Sequence, residues 1–200
     1  FRLLREREIP MEGKDFSVLC LYFEGLFHQS AKDDINEDVR IQISRYLLNI
    51  PGARVFKNAE DEAVLLFENS EDAGEVVERI KIRFNDKWGR DGSVVLRLQG
   101  IYVPRLSIIS DSLDLPYLLR YVRENRRKYT ENDFVTVEET MVSDMYQEQV
   151  TERLILSAIE NGRIEVFYQP IYSVKEQRFT CAEALVRMRD EEGNLIPPIQ

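Results

Sequence analysis

The chain has 200 residues, of which 44% are hydrophobic and 32% charged, and its formal net charge is −9. This composition is typical of a folded globular protein and excludes a disordered one. The acidic balance argues against a nucleic-acid polymer as partner, and no uncharged apolar run of about 18 residues predicts a membrane span. We expect a cytoplasmic protein in which Cys20 and Cys181, both inside apolar runs, are reduced core residues. The alternative is a longer protein anchored in a membrane through an upstream segment.

The first residue is Phe and no signal-peptide pattern comes after it, so we expect a piece of a longer chain with a sensor domain upstream. Residues 1–13 are interpreted as a leader from that region. Strands and helices then alternate. The predicted strands are Phe16–Glu24, Ala53–Lys57, Ala63–Phe67, Val94–Val103 and Asp133–Val137, and the predicted helices are Ile35–Ile50, Asp72–Trp88 and Asp114–Lys128. Helices between strands predict a single sheet covered by helices.

A long helix over Thr140–Asn161 is predicted to connect this region to the C-terminal part of the chain, within a segment taken as residues 139–163. Val150, Leu154 and Ala158 form one apolar stripe along it, and Asn161-Gly162 is a good C-terminal stop. No Gly/Ser- or Pro-rich linker intervenes. We therefore expect the helix to transmit orientation better than a flexible tether would.

Two strand-like runs, Ile164–Ile171 and Phe179–Val186, come after the helix, and the polar residues between them predict a hairpin. Glu183 is unusual, because an acid in the middle of an apolar run is costly to bury unless it binds a cation or a donor. In a strand, positions 183, 185 and 187 share one face, so the Glu183 carboxylate and the Arg187 guanidinium would point the same way.

This pattern has two interpretations. A carboxylate is the ligand that Mg²⁺ or Mn²⁺ prefers, and the planar fork of Arg187 suits a phosphate diester, so the pair would combine a metal ligand with a phosphate clamp. Alternatively, Glu183 and Arg187 pair with each other and have only a structural role.

The order Tyr168-Gln169-Pro170-Ile171, then Glu183-Ala184-Leu185-x-Arg187, resembles the start of an EAL domain, the cyclic di-GMP phosphodiesterase. The resemblance covers residues 164–200. It implies that Glu183 is a catalytic metal ligand for Mg²⁺ or Mn²⁺, and that Gln169, Leu185 and Arg187 lie in the cyclic di-GMP pocket. Pro198 is similar to the next landmark of the family.

An EAL domain is a TIM-type barrel of roughly 250 residues, so its remaining metal ligands would lie beyond Gln200. We therefore expect the longer protein to hydrolyse cyclic di-GMP and this 200-residue piece to be inactive by itself. The alternative is a non-catalytic receptor or adaptor whose domains serve only binding or dimerisation.

The order of elements over residues 14–138 resembles a GGDEF domain, the cyclic di-GMP synthase fold. The resemblance implies a mostly antiparallel sheet flanked by helices, so the whole chain is predicted to be α/β (α+β), ending in the first strands of a TIM-type barrel. The signature turn is degenerate, because Asn58-Ala59-Glu60-Asp61-Glu62 lacks both glycines, and Tyr22 stands where the family has a metal-binding Asp. We expect no cofactor and no synthase activity here.

Two features of this region keep alternatives open. Glu24 and Glu60 could still trap a cation, although the acidic turn 60–62 is also interpreted as a solvated hairpin tip. Arg120, Arg123 and Arg127 form a basic stripe that predicts either a solvated helix face or a docking surface for an acidic partner.

The hairpin also predicts self-association. An isolated two-stranded hairpin is at best marginally stable in water, and an exposed apolar edge invites pairing. Two outcomes are open: the hairpin folds back on the preceding domain or connecting helix, or it pairs with the same segment of another chain. We expect the second, a homodimer or higher assembly in which residues 164–187 contact a second chain.

Overall fold

The computed structural model describes residues 15–24, 33–59, 61–68, 70–88 and 94–196. The predicted leader at residues 1–13, the turn residue Glu60 and the landmark Pro198 lie outside the described residues. The chain divides into two compact units, Phe1–Ser143 and Asp144–Gln200. Among the described helices, none combines the length and the apolar character needed to cross a lipid bilayer.

The first unit is built on a five-stranded sheet in the order β2-β3-β1-β4-β5. The strands are β1 (Ser17–Glu24), β2 (Ala53–Ala59), β3 (Glu62–Phe67), β4 (Arg97–Val103) and β5 (Phe134–Thr136). β1 pairs antiparallel with β3 and β4, β2 pairs antiparallel with β3, and β5 joins β4 in parallel. The predicted, mostly antiparallel α/β sheet is therefore confirmed. β1 is the central strand, and its side chains from Ser17 to Phe23 are therefore buried on both faces of the sheet.

Within the described ranges, this unit has four α-helices: α1 (Asp33–Leu48), α2 (Ser70–Asn85), α3 (Leu115–Glu124) and α4 (Arg126–Tyr129). Alternate residues of β1 pack into one core cluster with the apolar stripes of α1 and α2. That cluster includes Leu19, Leu21 and Phe23 of the strand, Val39, Ile43 and Leu47 of α1, and Val76, Val77, Ile80 and Phe84 of α2. The predicted helix Asp114–Lys128 is divided at Asn125, whose side-chain amide donates to the Tyr121 carbonyl at 3.1 Å. An amide that bonds the backbone locally competes with the regular helical pattern.

A long helix, α5 (Glu139–Glu160), continues into the second unit. It ends in a Schellman motif: Gly162 has φ 63°, its N–H donates to the Ile159 carbonyl, and the Arg163 N–H donates to the Ala158 carbonyl. The predicted stop at Asn161-Gly162 is confirmed.

The second unit contains an antiparallel sheet in the order β6-β7-β8, formed by β6 (Ile164–Ser173), β7 (Arg178–Arg189) and β8 (Leu195–Ile196). The predicted hairpin is confirmed, and within the described residues this sheet is not a closed barrel. Most side chains of β6 and β7 are exposed. Cys181 is therefore exposed and its prediction as a core residue is wrong, whereas Cys20 is buried as expected, and both thiols are free.

Candidate functional site

The antiparallel register of β6 and β7 places the predicted site residues on one face of the hairpin. Gln169 lies directly opposite Glu183, and Glu165 lies directly opposite Arg187. Directly opposed residues of an antiparallel pair project to the same side, as do residues two apart along a strand. Gln169, Glu183, Leu185 and Arg187 therefore share a face, as the sequence predicts for the three residues of β7.

The opposite face of the hairpin is apolar throughout the same stretch. It carries the cross-strand pairs Ile164 with Met188, Val166 with Val186, Tyr168 with Ala184, and Pro170 with Ala182. Val166, Tyr168 and Val186 are about half exposed or more, at 49%, 71% and 61%. The face that carries Gln169, Glu183 and Arg187 is called the polar face here, although Phe167 lies opposite Leu185 on it, whereas the other face is apolar throughout.

The structural alternative for Glu183, an ion pair with Arg187, is not formed. Four residues of a strand span roughly 13 Å, too far for two side chains of one strand to meet directly. Arg187 instead donates from Nη1 to the Val186 carbonyl at 2.9 Å. Glu183 is exposed, so its charge carries no burial cost and its carboxylate is accessible.

The oxygen donors of this face suit a hard divalent cation. The Glu183 carboxylate and the opposed Gln169 amide are oxygen ligands of the type that Mg²⁺ and Mn²⁺ accept. Over the described ranges, however, no group of three or more His, Cys, Asp and Glu side chains surrounds a common point. The residues present therefore fit part of a metal site, and further ligands would be needed to complete it.

Arg189 extends the polar face toward the end of β7. Its Nε and Nη2 donate to the two carboxylate oxygens of Glu165, at 2.7 and 3.1 Å, and its Nη1 donates to the Gly193 carbonyl at 2.7 Å. The hydrogen bonds and charge of Arg189 hold the pKa of Glu165 below its usual value. This ion pair was not predicted from the sequence. The two-residue spacing of Arg187 and Arg189 was the available signal.

In the first unit, a cluster occupies the corner where β1 meets the β2–β3 turn. Tyr22 lies opposite Glu62 in the sheet, and the Cys20 thiol donates to a Glu62 carboxylate oxygen at 3.1 Å. The guanidinium of Arg123, from α3, lies 4.1 Å from the centre of the Tyr22 ring. Burial raises the pKa of the Cys20 thiol, and the charge of Glu62 raises it further. Burial likewise raises the pKa of the Tyr22 phenol.

This cluster changes two interpretations of the turn. Glu62 is half-buried and bonded to a core thiol, so describing it as part of a solvated tip is wrong. Glu24 accepts a hydrogen bond from the Gln99 amide, while Glu60, its proposed partner for a cation, lies outside the described residues. The backbone of the turn is held by the Phe23 N–H, which donates to the Asp61 carbonyl at 2.9 Å.

An open cavity of about 510 Å³ lies beside the cluster. It is lined by Tyr22, Glu62, Pro116, Leu119, Arg120, Arg123 and Glu124. Its two arginines are balanced by two glutamates, so the lining has no excess of positive charge to hold a polyphosphate. Of the basic stripe, Arg123 packs on Tyr22 and Arg120 lies 4.8 Å from the Tyr117 ring centre, while all three predicted arginines are exposed.

Comparisons with known proteins give a short sequence match and a distant structural one. No protein-family model matches the chain. The signaling protein YkoW of Bacillus subtilis (strain 168) is 49% identical over 47 residues, which is 24% of this chain and 6% of YkoW. The S helix-GGDEF-EAL structure of Vibrio cholerae LapD, bound to c-di-GMP, aligns at 17% identity with a TM-score of 0.45. That alignment covers 92% of this chain and 45% of the LapD chain, so the chain spans less than half of either relative.

Proposed function

We propose that the full-length protein acts in cyclic di-GMP signalling and hydrolyses cyclic di-GMP to a linear dinucleotide at the polar face of the β6–β7 hairpin. One observation carries the proposal. The register places Gln169 opposite Glu183 and leaves Arg187 on the same face, so that an amide, a carboxylate and a guanidinium from the two EAL-like motifs share one side of the hairpin. The 49% identity to a signaling protein supports a signalling role.

In this reaction each side chain has a separate task. The Glu183 carboxylate would hold Mg²⁺ or Mn²⁺ together with ligands from elsewhere in the protein, and the metal would supply an activated water. Arg187 binds a phosphate oxygen of the ligand and neutralises the charge that develops there. Gln169 positions the dinucleotide beside Glu183, and Leu185, on the same face between Glu183 and Arg187, gives an apolar contact.

The test is hydrolysis of cyclic di-GMP by the full-length protein and its Glu183→Gln variant, with the products separated by nucleotide chromatography. Loss of one metal carboxylate should reduce the rate roughly a thousandfold or more. Glu191→Gln, which changes an exposed acid just after β7, is the matched control and should retain the parental rate. Parental turnover by Glu183→Gln would contradict the role of Glu183.

The same experiment separates the enzyme from the alternative receptor. Tight binding of cyclic di-GMP without turnover, in the presence of Mg²⁺ or Mn²⁺, would replace the phosphodiesterase with a non-catalytic receptor or adaptor. The first unit is proposed to be regulatory in either case. Its Tyr22 is buried under Arg123, and its neighbouring cavity has balanced charge.

A homodimer is proposed from the exposed apolar surface of the hairpin. β6 is an edge strand of its sheet, and Val166 and Tyr168 are exposed on the apolar face. Unpaired edges and exposed apolar faces favour association with a second chain. Size-exclusion chromatography with light scattering should show that the 200-residue chain is a dimer. Val166→Lys should weaken the dimer. Val174→Lys, at an 83% exposed turn position, should leave the dimer intact. A monomer at high micromolar concentration would refute the dimer.

A further inference from the structure

The polar face of the hairpin contains an arrangement of charges that the proposed reaction does not by itself require. Glu165 lies directly opposite Arg187, at the cross-strand position where two opposite charges normally pair. Glu165 is nevertheless bonded to Arg189, the diagonal neighbour, through two hydrogen bonds of 2.7 and 3.1 Å. By register Arg187 is the direct cross-strand neighbour of Glu165, yet the diagonal neighbour Arg189 binds the carboxylate.

The geometry of Arg189 explains why it holds the carboxylate. Its fork engages both oxygens of Glu165 through Nε and Nη2, and this bidentate arrangement is the stronger form of Arg–carboxylate bond. Its remaining nitrogen, Nη1, donates to the Gly193 carbonyl at 2.7 Å. The Arg189 backbone N–H donates to the Arg163 carbonyl at 3.0 Å, at the base of the hairpin. Arg189 is therefore fixed at four points.

Arg187 differs from Arg189 in this respect. Its side-chain hydrogen bond is the one from Nη1 to the neighbouring Val186 carbonyl. In the part of the chain that the structure describes, it forms no ion pair with Glu165 or Glu183. A guanidinium that is not neutralised by a carboxylate keeps its capacity to bind an anionic phosphate.

We infer that Arg189 is a positioning residue that sequesters Glu165 and so keeps the Arg187 guanidinium available for a phosphate group of the ligand. This inference rests on the proposed function, since it assigns Arg187 to the phosphate of a cyclic dinucleotide. It adds two residues, Arg189 and Glu165, that do not touch the ligand. They act only by determining whether a carboxylate pairs with Arg187. Without Arg189, Glu165 turns to Arg187 and competes with the phosphate.

The first arm of the test needs no ligand and uses the 200-residue chain. Side-chain NMR of ¹⁵N-labelled arginine follows solvent exchange of each Nε–H. The Arg189 Nε–H should exchange slowly, because it is bonded to Glu165. In Arg189→Gln, the chemical shift of the Arg187 Nε–H should change and its exchange with solvent should slow. In the double variant Arg189→Gln/Glu165→Gln, both should return to the values of the parental chain. An Arg187 signal that is unchanged in Arg189→Gln would overturn the inference.

The second arm measures cyclic di-GMP affinity of the full-length protein by calorimetry. Arg189→Gln should weaken binding about two- to fivefold, the range expected when an exposed ion pair must be broken. In the Glu165→Gln background the same change should have no effect, because no carboxylate remains to compete. Arg178→Gln removes the same charge from an exposed ion pair with Glu176 at the start of β7, and should leave affinity unchanged.

The outcomes separate the two proposals. Equal losses for Arg189→Gln in both backgrounds would mean that its charge acts on the ligand directly, which overturns the inference while the proposed function stands. Wild-type affinity in Arg187→Ala, or no binding by the parental protein, would refute the proposed function. The NMR arm would still report whether Arg189 withholds Glu165 from Arg187.

Discussion

The parallel pairing of β4 and β5 depends on a glycine, and its replacement gives a prediction whose size comes from the geometry. Gly100 lies opposite Phe134, and its N–H donates to the Asp133 carbonyl at 2.9 Å. A Cβ at position 100 would lie 2.2 Å from Cε1 and 2.3 Å from Cδ1 of the Phe134 ring. Carbon atoms normally approach to about 3.5 Å. The ring would therefore have to retreat by more than an ångström.

Gly100→Ala should destabilise the first unit by about 1–3 kcal/mol, the usual cost of overpacking. The ring belongs to β5, a strand of three residues that, among the described strands, pairs with β4 alone. Gly74→Ala is the matched control, because Gly74 is inside α2 with nothing within 4 Å of the added Cβ. That change should stabilise the unit by about 0.5–1 kcal/mol, since alanine is the better helix former.

The assay is urea denaturation monitored by fluorescence of Trp88, the chain's one tryptophan, which is buried in the first unit. Its fluorescence reports the unfolding of the first unit, so unfolding of the second unit does not enter the measured free energy. Adding Phe134→Ala should relieve the clash, so that the double variant loses less free energy of unfolding than the two single variants lose together. An unchanged midpoint for Gly100→Ala, or strict additivity with Phe134→Ala, would refute the explanation.

Three further predictions test other features. Gly162→Ala should reduce the stability of the α5 end by about 1 kcal/mol, because φ is 63° there; an added Cβ meets no other atom of the described residues, so backbone strain is the whole effect. Faster amide exchange at the end of α5 should report the loss. Burial raises the pKa of Asp15, but hydrogen bonds from the Ser107 side chain and from nearby backbone outweigh it and hold the net pKa below its usual value of 3.8. The Asp15 contribution to stability should therefore be complete above about pH 4 and disappear as pH falls through the lowered pKa, and Asp15→Asn should flatten this acid limb. Incubation with GTP and Mg²⁺ or Mn²⁺ should give no cyclic di-GMP on chromatography, because the GGDEF resemblance puts Tyr22 at the position of a metal-binding Asp. Product that depends on Glu60 would contradict this.

Much of the secondary structure is determined by local pattern. Apolar periods near two and near 3.6 residues predicted the strands and long helices close to their observed bounds, and Asn161-Gly162 predicted a helix end that needs positive φ. Alternation along β7 also predicted that Glu183, Leu185 and Arg187 share a face. These properties depend on neighbouring residues in the chain, so the sequence contains the necessary information.

Tertiary structure decided which residues meet across strands and helices. The sequence left the sheet order open, and the position of Gln169 opposite Glu183 is a matter of register. The exposure of Cys181 was predicted wrongly, because an apolar run predicts strand but does not say whether another layer covers it.

The same limit applies to the charged groups. The sequence identifies the arginines, but only the folded structure brings Arg123 of α3 over Tyr22 of β1. Likewise, only the folded structure shows that Glu165 binds Arg189 instead of the directly opposed Arg187. Side-chain partners depend on distances of a few ångströms between segments far apart in sequence. Local propensity sets the elements, whereas packing and register determine which charges are neutralised and which remain available for a ligand.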